Sequence, residues 1–323
     1  MRTLYVKKND AGQRLDKFIT KTLKAFPMSL LYKSIRTKKI KVNRKRCEAN
    51  YILCEGDSIE LFISEEFFEE NATENAFMKL KPSIDVIYED ENILLVNKQP
   101  GLIVHSDENE EVNTLIGHIK AYLYRKGEYN PENEQSFAPA LCNRIDRNTG
   151  GIVLAAKNAA ALRFFNEKIK LRELDKYYLC AVHGKLPKRE DTLVGYLKKD
   201  GDANLVDIKS KSARGYKEII TRYKVLCEKG DLSLLEIELI TGKTHQIRAH
   251  LSSIGHPLLG DGKYGINKDD RKKGYAYQAL YAYKLCFSFK KSGNEFDYLS
   301  GQTFTCDNSK IYFLKEFSKG DGK

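Results

Sequence analysis

A single carboxylate set between two guanidinium groups is the first place in this chain where chemistry can be read: Asp146, in Cys142-Asn143-Arg144-Ile145-Asp146-Arg147-Asn148-Thr149-Gly150-Gly151. Arg144 and Arg147 are expected to keep it ionised, since a neighbouring cation favours the charged form. An ionised carboxylate can serve as nucleophile or base. A second stretch, Thr241-Gly242-Lys243-Thr244-His245-Gln246-Ile247-Arg248-Ala249-His250-Leu251, runs on to His256 and carries half of the six histidines. Their spacing matches neither the helical pair nor the cysteine-assisted patterns of zinc sites, so packing and turn hydrogen bonds are their expected roles and no metal is expected. An Asp between two Arg is more often a surface ion pair than a reacting group. The surrounding elements have to decide.

Immediately after Asp146, Thr149-Gly150-Gly151 permits a tight turn, and Ile152-Val153-Leu154-Ala155-Ala156 is a short apolar run suited to a buried strand. Upstream, Ile84 to Glu89 and Ile93 to Lys98 flank Asp90-Glu91-Asn92 and predict a hairpin. Val112 to Arg125 has helical spacing, and the polar stretch from Lys126 to Phe137 delivers the chain to Asp146. Downstream, Ala159 to Lys170 reads as helix, whereas Lys176 to Val182, Lys217 to Val225 and Ser233 to Leu239 read as strands. Alternation along Lys176-Tyr177-Tyr178-Leu179 sends the two tyrosines to opposite faces. Many short strands with few helices predict an α+β fold with a large mixed, mainly antiparallel sheet.

The first fifth of the chain differs in composition. Residues 1–63 hold 15 Lys and Arg against 6 Asp and Glu, most of the net charge of +11. Two helical segments, Arg14 to Ile19 and Leu30 to Arg36, are separated by Pro27. A strand through Ile40 and Val42 then turns Lys39, Lys41 and Asn43 outward, a platform for phosphates, and Ser58 to Ile63 forms another strand after the Gly56-Asp57 turn. Residues 64–80 switch to acidic and polar, the composition of a tether that repels nucleic acid, with Phe67 and Phe68 expected to dock. Residues 81–323 then form a second domain, with a partly helical or frayed tail from Asn308.

Composition excludes several classes. The seven cysteines stand singly, without a Cys-x-x-Cys pair, so neither a disulfide framework nor a zinc ribbon is expected. No signal-length or bilayer-length apolar run appears, which predicts a cytoplasmic protein with no membrane partner. There is no dinucleotide or phosphate-loop glycine motif and no internal repeat.

Two resemblances follow. Arg14-Leu15-Asp16, Ile40-x-Val42-Asn43 and Gly56-Asp57 resemble the S4 RNA-binding domain over most of residues 12–63, which implies RNA contacts by Arg14, Lys33, Arg36, Lys38, Lys39, Lys41 and Asn43. Asn97-Lys98-x-x-Gly101-Leu102-x-Val104-His105, Asn143 to Gly151, Lys176-x-Tyr178-x-Cys180-x-Val182-x-Gly184 and Gly242-x-Thr244-His245-Gln246-Ile247-Arg248-x-His250-Leu251 resemble, in order, the motifs of the RluA-type pseudouridine synthases. The chain looks closest to the C-type branch of that family, whose members modify the large ribosomal subunit. It departs at Asn143 and Gly150, where the family usually has His and Ser.

That resemblance implies an isomerase that needs no cofactor. Asp146 would start glycosidic cleavage of a flipped-out uridine, as nucleophile or base. Arg248, expected on a neighbouring strand, would pair with Asp146. Tyr178 would pack on the uracil and take up the C5 proton through its phenol oxygen. Arg144 would fill the gap left by the base, with Arg147 beside it on the RNA. The implied partner is RNA, foremost the large-subunit (23S) ribosomal RNA, for an enzyme that needs to be no more than a monomer. Alternatives are a transfer-RNA substrate, a non-catalytic ribosome-assembly factor, or a nucleosidase that releases the base.

Overall fold

The structure, a computed structural model, describes residues 1–68, 75–107, 110, 112–200, 205–265 and 268–318. The acidic core of the 64–80 stretch, residues 69–74, and the last five residues lie outside the described residues.

The N-terminal elements are β1 (Arg2–Tyr5), α1 (Leu15–Thr22), α2 (Met28–Arg36), β2 (Ile40–Val42), β3 (Lys45–Arg46) and β4 (Ser58–Leu61). Leu15, Phe18 and Ile19 recur at helical spacing on α1 and are fully buried, as are Leu31 of α2 and Ile40, Ile59 and Leu61 of the strands. These residues share one apolar core. The four strands run in the order β1-β4-β2-β3, all antiparallel. Strand β1 was not anticipated, because Arg2-Thr3-Leu4-Tyr5 is short and its burial comes from pairing with β4. Val42 pairs with Lys45, so Asn43-Arg44 is a two-residue hairpin with φ of 50° and 63°. Left-handed backbone at both positions is the primed turn that matches strand twist.

Phe67 packs on Phe26 with ring centroids 4.9 Å apart, and the Arg2 guanidinium sits 4.4 Å from the centre of Phe68. Both phenylalanines are therefore seated on the N-terminal module.

The second part comprises β5 (Val86–Glu89), β6 (Ile93–Lys98), α3 (Leu115–Arg125), β7 (Ala140–Leu141), β8 (Gly150–Ala156), α4 (Ala159–Lys170), β9 (Leu174–His183), β10 (Glu190–Lys199), β11 (Val206–Lys209), β12 (Lys217–Lys229), β13 (Leu232–Leu239), α5 (Gln246–Ser253), α6 (Lys268–Lys272), β14 (Leu280–Phe287) and β15 (Thr303–Thr305). Eleven of these strands form one sheet, β11-β10-β12-β13-β9-β14-β8-β6-β5, with β15 on β14 and β7 on β8. Among the described residues, β14–β8 is the one parallel pair. The α+β class and the mixed, mainly antiparallel sheet are as expected.

Both faces of the sheet centre are covered, so β6 and β8 read as continuous apolar runs rather than alternating ones. Val96, Val153, Tyr178 and Ile237 face one core with α3 and Ile247 of α5. Ile93, Leu95, Ile152, Leu154 and Leu179 face the other, with Phe165 of α4 and the C-terminal Phe313.

The two parts touch directly. Asp10, fully buried, accepts from Ser136 Oγ at 2.6 Å and Ser136 N at 3.1 Å. Gln13 Nε2 donates to Ser136 Oγ at 2.7 Å, Asn9 Nδ2 donates to Glu134 at 2.9 Å, and Asn9 Oδ1 accepts from Ala159 N at the start of α4. The module rests on the polar segment that leads to Asp146. Among the described residues, no helix is long and apolar enough to cross a membrane.

Candidate active site

Asp146 sits in the turn between β7 and β8, and that turn is pinned from three sides. Asn143 Oδ1 accepts from Leu154 N at 2.8 Å, and Cys142 N donates to Leu154 O at 2.8 Å, tying the loop to β8. The fully buried Lys98 ammonium donates to the carbonyls of Arg147 (2.8 Å), Leu102 (2.8 Å) and Gln99 (3.0 Å). Burial pulls its pKa down to about 7, with the Asp146 charge opposing. Three carbonyls match the three donors of the charged form, whereas a neutral amine would leave one unfilled. On the third side, a Cβ at Gly150 would meet the Tyr281 ring at 2.3 Å, and one at Gly151 (φ +117°) would meet the Ala282 carbonyl oxygen at 2.2 Å. Both glycines let the turn lie against β14. The departures at Asn143 and Gly150 thus have structural counterparts: an amide that caps β8, and a space filled by a tyrosine ring.

The partner of Asp146 is on a helix. Arg248 Nη1 donates to Asp146 Oδ2 at 3.0 Å from within α5, so its expected strand is corrected: Gly242 breaks the apolar run after β13 and the chain turns into α5 at His245. Nor do the flanking arginines hold the carboxylate. Arg147 Nη2 lies 3.6 Å from Asp107 Oδ2, and Arg144 is exposed at the rim, because neighbouring side chains in an extended loop diverge. Arg248 in turn is clamped by Asp261, which accepts from Nε at 2.8 Å and from Nη2 at 2.9 Å, a bidentate pair. Asp261 is fully buried and also accepts from Lys263 N and Tyr264 N. Burial would raise its pKa, but Arg248 and those backbone donors outweigh it and hold the carboxyl below its usual range.

Tyr178, on β9, is buried and faces the same cleft. Burial, then the charge of Asp146, pushes its phenol well above the usual tyrosine range. It is therefore a neutral phenol at physiological pH and can take up a proton only by passing its own on. Tyr177 points the other way, 4.1 Å beneath the Lys284 ammonium.

Asp146, Arg248 and Tyr178 line one cleft of about 930 Å³, together with Arg144, Arg147, Lys176, His105, Lys243, Lys263 and Arg271. Cations outnumber the two acids, Asp146 and Asp107, on its walls. Burial lowers the pKa of Lys176, and burial with the nearby Arg144 and Lys120 lowers that of His105. The cleft suits a polyanion whose reacting unit enters deeply and meets the Asp146 carboxylate.

The proposed RNA side chains of the N-terminal module divide. Lys33, Arg36, Lys38 and Lys39 are exposed, and Lys41 is half-buried over Phe62. Arg14 donates twice to the buried Asp16, at 2.7 and 3.1 Å, and Asn43 bridges Asp57 and Ser58 N, so both also serve the fold. Arg44, which motif reading passed over, stands at the hairpin tip with its side chain 90 % exposed. Asp261 was also passed over, and His245 was assigned only packing and turn hydrogen bonds. A signal for Asp261 existed in Gly260-Asp261-Gly262, a carboxylate in a turn, but no spacing rule links it to Arg248.

The family model described as RNA pseudouridylate synthase matches residues 92–253, half of the chain, and the S4 domain model matches residues 13–59. An uncharacterised RNA pseudouridine synthase of Mycoplasma genitalium is 34% identical over 312 residues, covering 95% of each chain. The ribosomal large subunit pseudouridine synthase C of Escherichia coli is 31% identical over 292 residues, covering 88% of this chain and 87% of that one. Human RNA pseudouridylate synthase domain containing 4 has the same fold at 20% identity, with a TM-score of 0.56 over 72% of this chain and 92% of that one.

Proposed function

The chain belongs to the RNA pseudouridylate synthase family and carries an S4 domain, and from that premise we propose that it converts uridines of large-subunit ribosomal RNA to pseudouridine, with Asp146 as the reacting group. The observation that carries this reading is the Asp146–Arg248 pair in a cation-lined cleft, held from behind by the buried Asp261. Identity to the large-subunit enzymes over most of the chain supports the substrate. The protein acts in the cytoplasm as a monomer. Residues 1–63 form the RNA anchor, 64–80 the connection and 81–323 the catalytic domain.

A uridine inside a helix cannot reach the cleft floor, so it is flipped out, at about a few kcal/mol of unstacking. Arg144 at the rim occupies the vacated stack, where a planar guanidinium can both stack and hydrogen-bond. Arg147 contacts the adjacent backbone. Asp146, acting as nucleophile or base, breaks the bond between C1′ and N1. The freed uracil turns against Tyr178 and C5 bonds to C1′, releasing the Asp146 carboxylate if it had bonded there. The C5 proton passes to the Tyr178 phenol oxygen as that group gives up its own, and N1 takes up one proton, so one proton leaves carbon and one arrives at nitrogen. The sum is an isomerisation with no oxidant, reductant or energy source. Lys33, Arg36, Lys38, Lys39 and Lys41 hold the RNA backbone by charge, with Arg14 and Asn43 at the base of the same surface.

The test is carbodiimide-based sequencing of ribosomal RNA from cells with and without this gene. Particular large-subunit signals should vanish and return only with an active copy. Unchanged large-subunit signals would refute the substrate assignment.

A further inference from the structure

We propose that His245 is a positioning residue for Asp146: Tyr264 holds its ring in the tautomer whose Nε2–H faces the carboxylate, so that Oδ2 is engaged and Oδ1 is left to the sugar. This rests on the reading of Asp146 as the reacting group.

Hydrogen-bond accounting selects the tautomer. The Tyr264 phenol oxygen accepts from Val206 N at 3.0 Å, and it lies 2.9 Å from His245 Nδ1. A backbone N–H can only donate. If Nδ1 also carried a proton, the phenol oxygen would face two donors and its own proton would have no acceptor in this pair of contacts. With Nδ1 as acceptor every group is matched, and the ring proton sits on Nε2.

Nε2 lies 3.8 Å from Asp146 Oδ2, the same oxygen that Arg248 Nη1 contacts at 3.0 Å. At 3.8 Å the contact is electrostatic rather than a formed hydrogen bond, and such contacts tighten when substrate fills a site. Among the described residues, Arg248 and His245 thus converge on Oδ2 of Asp146.

His245 is also held firmly. Its side chain is 9% exposed, its ring meets the Tyr264 ring edge-on at 5.6 Å, and its backbone has φ of +54°. Left-handed backbone at a residue other than glycine costs about 1–2 kcal/mol and persists where surrounding structure enforces it. The groups facing the ring are Asp146, Arg248, Lys263, Asp261 and Tyr264. Burial, reinforced by Arg248 and Lys263, outweighs the two carboxylates and keeps the imidazole below its ordinary pKa, hence neutral.

The direct test is nitrogen-15 NMR of histidine-labelled full-length protein near neutral pH, with the His245 signals identified by their loss in His245→Gln. A ring protonated at Nε2 and bare at Nδ1 is expected; protonation at Nδ1 would overturn the proposal. Single-turnover rates give the functional arm. His245→Leu and Tyr264→Phe should each slow isomerisation about 10- to 100-fold, the range outer partners contribute at other sites, with RNA affinity within about twofold. The double variant should be no slower than His245→Leu alone, and His245→Gln, which keeps an N–H donor, should recover most of the rate. If Asp146→Asn is inactive while His245→Leu matches wild type, this inference alone fails. If Asp146→Asn retains turnover, the reading of Asp146 fails whatever the tautomer.

Discussion

At the scale of single residues, the site depends on a carboxylate that does no chemistry. Asp261 neutralises Arg248 so that the guanidinium can be buried beside Asp146, and removing one member of a buried charge pair costs about 3–5 kcal/mol. Asp261→Asn should therefore lower unfolding stability by roughly that amount and slow isomerisation as well; stability within about 0.5 kcal/mol of wild type in urea titrations would contradict the assignment. His250 gives a pH signature. It is buried, with Nδ1 at 3.0 Å from Thr221 Oγ1, and burial lowers its pKa from 6.5 to about 4. The unfolded ring gains its proton near 6.5 and the folded one only near 4, so its contribution to stability is complete above the first value and falls away between the two, by about 3 kcal/mol at most. Denaturant titrations from pH 7 to 4 should show that decline, and His250→Gln should flatten it. An identical slope in the variant would refute the attribution. Asp146, Tyr178 and Arg248 were legible because motif order carries them. Asp261 and Tyr264 were not, since their contacts are made by a turn folding back on α5, and Asp146 pairs with Arg248 of that helix rather than with the arginines beside it in sequence.

At the scale of elements, sequence period predicts most of the structure because burial enforces it. Helix α4 begins and ends at the predicted residues, and Asn158 caps it by accepting from Ala161 N. Hairpin β5–β6 follows from its polar turn. Element α5 was misread because an arginine and histidines among apolar residues fit a strand as well as a buried helix; after Gly242 breaks the run, the left-handed residue at His245 sets the turn, and no pattern marks it. The β2–β3 hairpin of the basic module shows the same kind of strain. Arg44 occupies a left-handed position that glycine would occupy without strain, with its cation in solvent. Arg44→Gly should leave the module as stable or more stable, by up to about 1 kcal/mol. It should also weaken RNA binding and reduce the slope of log affinity against log salt by about 1 if one phosphate contact is lost. Unchanged affinity and slope would remove Arg44 from the interface.

At the scale of the whole molecule, the basic module and the catalytic sheet are not merely strung together. Asn9, Asp10 and Gln13 bond to Glu134, Ser136 and the start of α4, so the module rests on the segment that carries the chain into the active-site loop. Composition separated the two parts at the acidic stretch but could not reveal this seat, because isolated polar residues in loops have no period. The family membership, the cation-lined cleft and the ion-pair chain meet in one claim: Asp146 performs the isomerisation, and binding is separable from it. The most direct measurement treats ribosomal RNA with purified wild-type and Asp146→Asn protein, maps pseudouridine by carbodiimide stops, and measures RNA affinity in parallel. The expected result is pseudouridine with wild type only, a rate loss of at least about 10³-fold in the variant, and affinities within about threefold. Pseudouridine formed by Asp146→Asn at a wild-type rate would contradict the account.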